Sequence, residues 1–183
     1  MPSVLWAVVL VAAVLPSNGA FTVDPAASAL RFTVVHKLHR VEGNASSMEG
    51  KAIVKDDGTV LAMVRVPVAS LHTGVGNRDE HMLEALEAGK FPFVVLKGLA
   101  RLGAERQVPA GPVTLDGEVD LHGVKTTAAI PLSLQLQPDG SVRARGSFDV
   151  SLDAHGVQRP SLLFVKIEDA CHIEFDLVLR GDR

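Results

Sequence analysis

The tightest constraint in this sequence is a two-residue alternation that runs, interrupted twice, from Val113 to Leu152. Val113, Leu115, Gly117, Val119 and Leu121 fall on one side, and Thr114, Asp116, Glu118 and Asp120 on the other. A period of two is the strand repeat, and a strand that is apolar on one face and polar on the other is half-buried. After His122-Gly123 the pattern restarts as Val124, Thr126, Ala128, Ile130, Leu132, Leu134 and Leu136. After Pro138-Asp139-Gly140 it restarts again as Val142, Ala144, Gly146, Phe148, Val150 and Leu152. Pro presets φ, and Asp and Gly tolerate tight backbone, so both interruptions read as turns and the three runs as an antiparallel meander.

The same alternation recurs elsewhere. Leu30, Phe32, Val34 and His36 share a face, as do Cys171, Ile173, Phe175, Leu177 and Leu179. Met48 to Val54, Val60 to Val68 and Phe93 to Leu99 are weaker strands, with Pro67 marking an edge or a strand end. A single helix is expected over residues 78–88. Asn77 would cap it with Glu80 completing a capping box, Met82, Leu83 and Leu86 form its apolar stripe, and Gly89 and Pro92 stop it. About eight long strands leave edges that an open sheet must blunt, so the expected fold class is all-β, a closed antiparallel barrel with one short α-helix.

Size and charge narrow the functions. The chain has 183 residues, enough for one domain with a sizeable core. With 21 Asp and Glu against 18 Lys and Arg and no basic run, it offers no footprint for nucleic acid. The single Cys171 excludes an intramolecular disulfide, and its alternation phase puts the thiol on the apolar face as a small buried hydrophobe. Residues 1–20 carry no charged side chain. Their apolar run, Val4 to Leu15, is followed by Pro16 and small residues ending at Ala20, which reads as a secretory signal cleaved after Ala20. The run is shorter than a membrane span. The expected domain is therefore residues 21–183, in the periplasm or secreted. Trp6 lies in the leader and the chain has no Tyr, so the cleaved form would keep Phe as its only aromatic.

A barrel of this size either fills with side chains or holds one small ligand. Strand parity nominates Phe32, Val34, Leu115, Val119, Leu132, Leu134, Phe148, Val150, Ile173 and Phe175 as lining, with His36 a polar group at the mouth. Small inward residues (Gly50, Ala52, Gly117, Ala128, Ala144, Gly146) leave room, and are equally compatible with a tapering packed core. Arg78, Asp79 and His81 lie within one helical turn and suit a ligand head group or a network tying the helix to the barrel. His36 and His39 are two imidazoles where a zinc site takes three or four ligands, so no metal is expected. Ser70-Leu71-His72-Thr73 sets a hydroxyl near an imidazole, but no nucleophile elbow occurs and no catalytic residue is assigned. The chain is expected not to be an enzyme.

Val34-Val35-His36, the VPVASLHT segment of Val66 to Thr73, Arg78-Asp79-Glu80-His81-Met82-Leu83, Lys90-Phe91-Pro92-Phe93, Leu121-His122-Gly123-Val124 and Ile167-Glu168-Asp169 occur in this order. Together they resemble the YceI-like family of exported, lipocalin-like barrels that bind polyisoprenoids. The resemblance spans residues 21 to 180 and implies a long apolar tunnel for an isoprenoid chain, such as a quinone tail or polyprenyl lipid. The partner it implies is that lipid, bound non-covalently, with transient membrane contact for exchange; pairing of two barrels is left open. The lack of Tyr and Trp beyond the leader, and the helix sequence Glu84-Ala85-Leu86-Glu87-Ala88-Gly89 where the family often has Phe, depart from the family pattern at the head group. The alternative is a solid barrel whose loops, Leu38 to Ser47 and Asp153 to Pro160, contact another protein.

Overall fold

The computed structural model describes residues 14–36, 39–159, 161–162 and 165–182. Residues 1–13, which carry most of the expected leader, and Lys37 and Leu38 between the paired histidines lie outside the described residues. The strands are β1 (Gly19–Val23), β2 (Ala29–His36), β3 (His39–Ala45), β4 (Glu49–Val54), β5 (Thr59–Pro67) and β6 (Leu71–His72). Helix α1 (Gly76–Ala85) follows, then β7 (Phe93–Arg101), β8 (Val113–Leu121), β9 (Val124–Leu136) and β10 (Val142–Ser151). A small hairpin of β11 (Ser161–Leu162) and β12 (Val165–Lys166) precedes the closing strand β13 (Ala170–Gly181).

Eight strands, in the order β1, β4, β5, β7, β8, β9, β10 and β13, form an antiparallel ring, closed because β13 pairs with β10 on one edge and β1 on the other. Along the edge shared with β1, β13 continues onto β2, where Cys171 faces Val34 and Asp176 faces Ala29. Beyond β2 lie β3 and β6, so three neighbouring positions of the wall are built from broken strands. Local chemistry explains each break. Pro25 has no N–H to give to a ladder, and Asp24 Oδ1 takes the Ala26 and Ala27 amides at 3.0 and 3.3 Å. Across this gap the Ser28 hydroxyl donates to Asp24 O at 2.7 Å and accepts from Val178 N at 2.9 Å, replacing the missing backbone partner of β13. Pro67 ends β5, and Ser70 Oγ bridges to Pro67 O at 2.7 Å and Ser47 O at 3.1 Å, tying the second and third breaks together.

The meander matches the sequence reading: β8 and β9 begin and end where the alternation does, joined at His122-Gly123 with φ of 55° and 73°. Positive φ at both turn residues is the two-residue hairpin geometry that follows the strand twist. The expected loop from Leu38 to Ser47 is instead largely β3. In the other expected loop, Asp153 to Pro160, His155 and Val157 are buried, and Pro160 lies outside the described residues.

The helix spans Gly76–Ala85 rather than residues 78–88, and Asn77 does not cap it; the residue at the cap is Val75, with no side-chain bond. The side chain of Asp79 turns back instead, accepting from Thr73 N at 2.8 Å and from the Thr73 hydroxyl. At the far end Glu87 takes a left-handed φ of 45°, with Ala88 N bonded to Leu83 O at 3.0 Å and Glu87 N to Glu84 O at 2.9 Å. This is a Schellman ending made by Glu87, two residues before Gly89.

Candidate ligand tunnel

The inward faces of the ring do not meet. They enclose a cavity of about 750 Å³ that runs from Leu15, Phe21 and Leu179 at one pole to His39, Arg40, Asn77 and Arg78 at the other. That volume falls in the range of about 300 to 1,000 Å³ typical of small-molecule sites. A solid barrel is thereby ruled out.

All ten residues nominated by strand parity line this cavity, and so does His36: Phe32, Val34 and His36 come from β2, Leu115 and Val119 from β8, Leu132 and Leu134 from β9, Phe148 and Val150 from β10, and Ile173 and Phe175 from β13. Phe148 and Phe175 meet edge to face with centroids 6.5 Å apart. Two glycines keep the large rings against the wall. Gly43 lies opposite Phe32 across the β2–β3 ladder, and a Cβ there would collide with the ring. Gly146 faces Phe175 in the same way, and a Cβ would sit 2.6 Å from Phe175 Cζ. A glycine across the strand thus lets a phenyl ring lie flat, so these glycines shape the tunnel less by their own small size than by lowering a neighbour's profile.

Sequence reasoning missed the lining of the weaker strands. Val54 of β4, Val60, Val64 and Val66 of β5 and Val94 and Leu96 of β7 all face the cavity. Their parity was legible, since each alternates with exposed Lys51, Leu61, Met63, Arg65 or Lys97. It also missed Leu15 and Phe21. Leu15 is 3% exposed and packs in the same cluster as Phe21, Val54, Val142 and Leu179, while Gly19 and Ala20 pair with Val54 and Ile53.

At the opposite pole α1 lies over the mouth. Met82, Leu83 and Ala88 pack on a cluster of Leu86, Phe32, Val119, Leu121, Val150 and Cys171. Arg78 and His81 line the cavity; Asp79 does not. Arg78 donates from Nε to the Thr73 hydroxyl at 2.8 Å and from Nη2 to Thr73 O at 3.3 Å. The hydrogen bonds from the Thr73 hydroxyl and amide, helped by the charge of Arg78, hold the Asp79 carboxyl below the ordinary carboxylate range. The C-terminal end is held by Glu87 Oε2, 2.6 Å from His122 Nε2. Behind it His155, 1% exposed, accepts at Nε2 from the Thr126 hydroxyl at 3.1 Å and donates from Nδ1 to Ser151 O at 2.8 Å.

The remaining chemistry-bearing groups are placed just as plainly. Cys171 is buried in the wall, and burial, with the charge of Asp149 adding, pushes its thiol up to about 12. His36 and His39 face one another with centroids 6.5 Å apart, and among the described residues no group of three His, Cys, Asp or Glu is arranged to hold a metal ion. His72 bonds Ser70 O at 3.1 Å and the Asn44 amide at 2.9 Å, while the Ser70 hydroxyl points to backbone carbonyls, so no serine–histidine pair forms. Among the described residues no helix is long and apolar enough to cross a membrane.

The YceI-like domain model matches residues 21–179. The chain belongs to the YceI-like family. Similar solved structures include a polyisoprenoid binding domain from Saccharophagus degradans implicated in plant cell wall breakdown, 17% identical with a TM-score of 0.74 over 88% of this chain and 98% of that one. BcnA of Burkholderia cenocepacia is 18% identical with a TM-score of 0.72, over 85% of this chain and 98% of its own. A YceI protein of Campylobacter jejuni is more distant, 13% identical with a TM-score of 0.59, over 78% and 85%. At such identities the likeness speaks to the fold. No curated protein matches the chain in sequence.

Proposed function

We propose that this protein holds a polyisoprenoid lipid, a quinone tail or polyprenyl chain, inside the barrel, and that it works outside the cytoplasm as a carrier, store or scavenger after removal of its apolar leader. The observation that carries the reading is the continuous apolar tunnel of about 750 Å³ through a barrel of this family. The polyisoprenoid binding domain from Saccharophagus degradans, which shares the fold, supports it. Burying about ten methylene groups contributes about 8 kcal/mol, near micromolar affinity before ordering costs, so a tail alone supplies the binding.

Solvent extraction of the purified protein followed by mass spectrometry tests the reading directly. An isoprenoid recovered in near-stoichiometric amount is the expected result; an empty extract from a protein that also fails to take up added isoprenoid sinks it. Once the leader is removed the chain has neither Trp nor Tyr, so a near-ultraviolet band beyond the weak Phe absorption reports a bound quinone ring.

A further inference from the structure

The outer face of the barrel is not uniformly polar. On β10 and β13 the outward positions are hydrophilic, among them Arg145, Asp149, His172, Glu174 and Asp176. That is the alternation expected of a sheet with one solvated face. On β4, β5 and β7 it fails: Ile53, Leu61 and Met63 point outward and are 47, 37 and 41% exposed, with Leu99 beside them. The register sets these side chains in two rows across neighbouring strands. One row runs Ile53, Leu61, Leu99, Asp116, and the other Lys51, Met63, Lys97, Glu118. Between the rows five small inward residues stand level on five strands: Ala52, Ala62, Gly98, Gly117 and Ala128. At that level the outer face is hollowed into a shallow groove, floored by Ala62, Gly98, Gly117 and Ala128 and walled by the two rows. Among the described residues Lys51, Lys97 and Asp116 have no ion-pair partner, while Glu118 pairs with Lys125 at 3.0 Å.

We propose that this face pairs with the same face of a second copy of the chain. The pattern of charge selects that occupant. Cations stand towards one end of the rows and carboxylates at the other, so the face complements itself when turned about a two-fold axis. With the axis along the strands and between β5 and β7, β4 of one copy lies over β8 of the other and β5 over β7. Leu61 of each copy then meets Leu99 of the other at the centre, and Lys51 lies over Glu118 on both flanks, next to Asp116. An apolar centre with a charged rim is the anatomy of a protein interface. An axis across the strands would instead set the β8 carboxylates of the two copies against each other. An anionic membrane would be attracted by Lys51 and Lys97 but repelled by Asp116 and Glu118, whereas a second copy matches both ends. Four strands about 4.8 Å apart make the face only about 20 Å wide, at the low end of interface size, so the pairing is weak, with a dissociation constant on the order of 10–100 µM. Nothing in it depends on what fills the lumen.

The test is sedimentation equilibrium of the purified protein from about 1 µM to about 1 mM, followed by interference optics, with circular dichroism to show that each variant is folded. The average mass should rise from one copy towards two with concentration, and added salt should weaken the association. Leu61→Asp, at an exposed position, should weaken it at least about tenfold. Lys51→Glu should weaken it as well, and adding Asp116→Lys with Glu118→Lys should restore it, because each flank again joins opposite charges. Glu174→Gln, on the far wall, should leave it unchanged. An unfolded chain cannot give a restored dimer, so the charge exchange decides the case even where Leu61→Asp fails to fold. A protein that stays single to about 1 mM overturns the proposal, and if it then sediments with phosphatidylglycerol vesicles the face belongs to a membrane. A dimer indifferent to a folded Leu61→Asp variant, or one that the charge exchange does not restore, overturns it too.

Discussion

The two poles of the barrel are closed by different physics. At one, the chain seals its own lumen: Leu15 is buried among Phe21, Val54, Val142 and Leu179, and its backbone is held at both ends by Arg106, from Leu15 N to Arg106 O at 3.0 Å and from Arg106 Nε to Leu15 O at 3.3 Å. At the other, a ten-residue helix in which no residue is fully buried leans on Leu86 and is moored at its ends by Asp79–Thr73 and Glu87–His122. A helix of that length has little stability of its own. Where buried contacts are few and mooring is polar, local opening costs least, so the helix side is the easier route for a ligand.

Truncations at the two poles give the largest expected effects. In a chain that retains residues from Val14 on, Leu15→Ala should cost about 2–4 kcal/mol in denaturant unfolding, as burial and cavity terms combine. Val75→Ala, beside the helix and 49% exposed, should cost under about 0.5 kcal/mol. Equal losses would erase the contrast. The comparison bears on the expected leader, because cleavage after Ala20 removes Leu15 together with the Gly19 and Ala20 pairs to β4. A chain starting at Phe21 should therefore melt lower than one starting at Val14, and should admit solvent at both poles.

The same contrast decides what could be read in the sequence. Strands β8, β9, β10 and β13 were legible almost to the residue, because their alternation is unbroken and turn residues bound them. Strand β3 was not, since its inward positions Val41, Gly43 and Ala45 are small and the bulk that fills the space at Gly43 is Phe32, a residue of the neighbouring strand. Strand β1 was hidden because Gly19 and Ala20 continue an apolar run that reads as leader. The start of α1 was misread because its carboxylate anchors backward to Thr73 rather than to the helix amides, a contact that needs the loop's geometry and leaves no spacing signature. The lining needed only parity, which is why it was recoverable while the partners of the mouth residues were not.

A bulky residue in the lumen separates the wall from the poles. Ala144 faces the cavity from β10, level with Leu134 and Leu177 on either side. Ala144→Phe should weaken isoprenoid binding at least about tenfold, a loss of about 1.4 kcal/mol, by occupying the path of the tail. The cavity has space to take the ring, so unfolding stability should change less than the affinity does. If affinity stays the same, the tail does not pass between the poles and enters only the helix side.

The smallest effect expected is on acid stability, and it tests whether the two regions respond together. The Asp176 carboxyl is held below the usual range chiefly by its hydrogen bond from Arg143, at 2.7 Å, with Arg145 adding, and Asp79 is held low by Thr73. A carboxylate with a depressed folded-state pKa contributes stability that is complete above its unfolded value, about 4, and lost as pH falls through the lower folded value. Denaturant midpoints should therefore be flat above about pH 5 and decline below about pH 4. Asp176→Asn should lower the neutral plateau, flatten the acid decline and bring the two curves together at low pH. Thr73→Val, which takes the hydroxyl from Asp79, should do the same more weakly in global unfolding, yet raise amide exchange in α1 more than in β13. Equal exchange in both would mean that the helix is as firmly fixed as the barrel wall, and that the easier opening does not lie on the helix side.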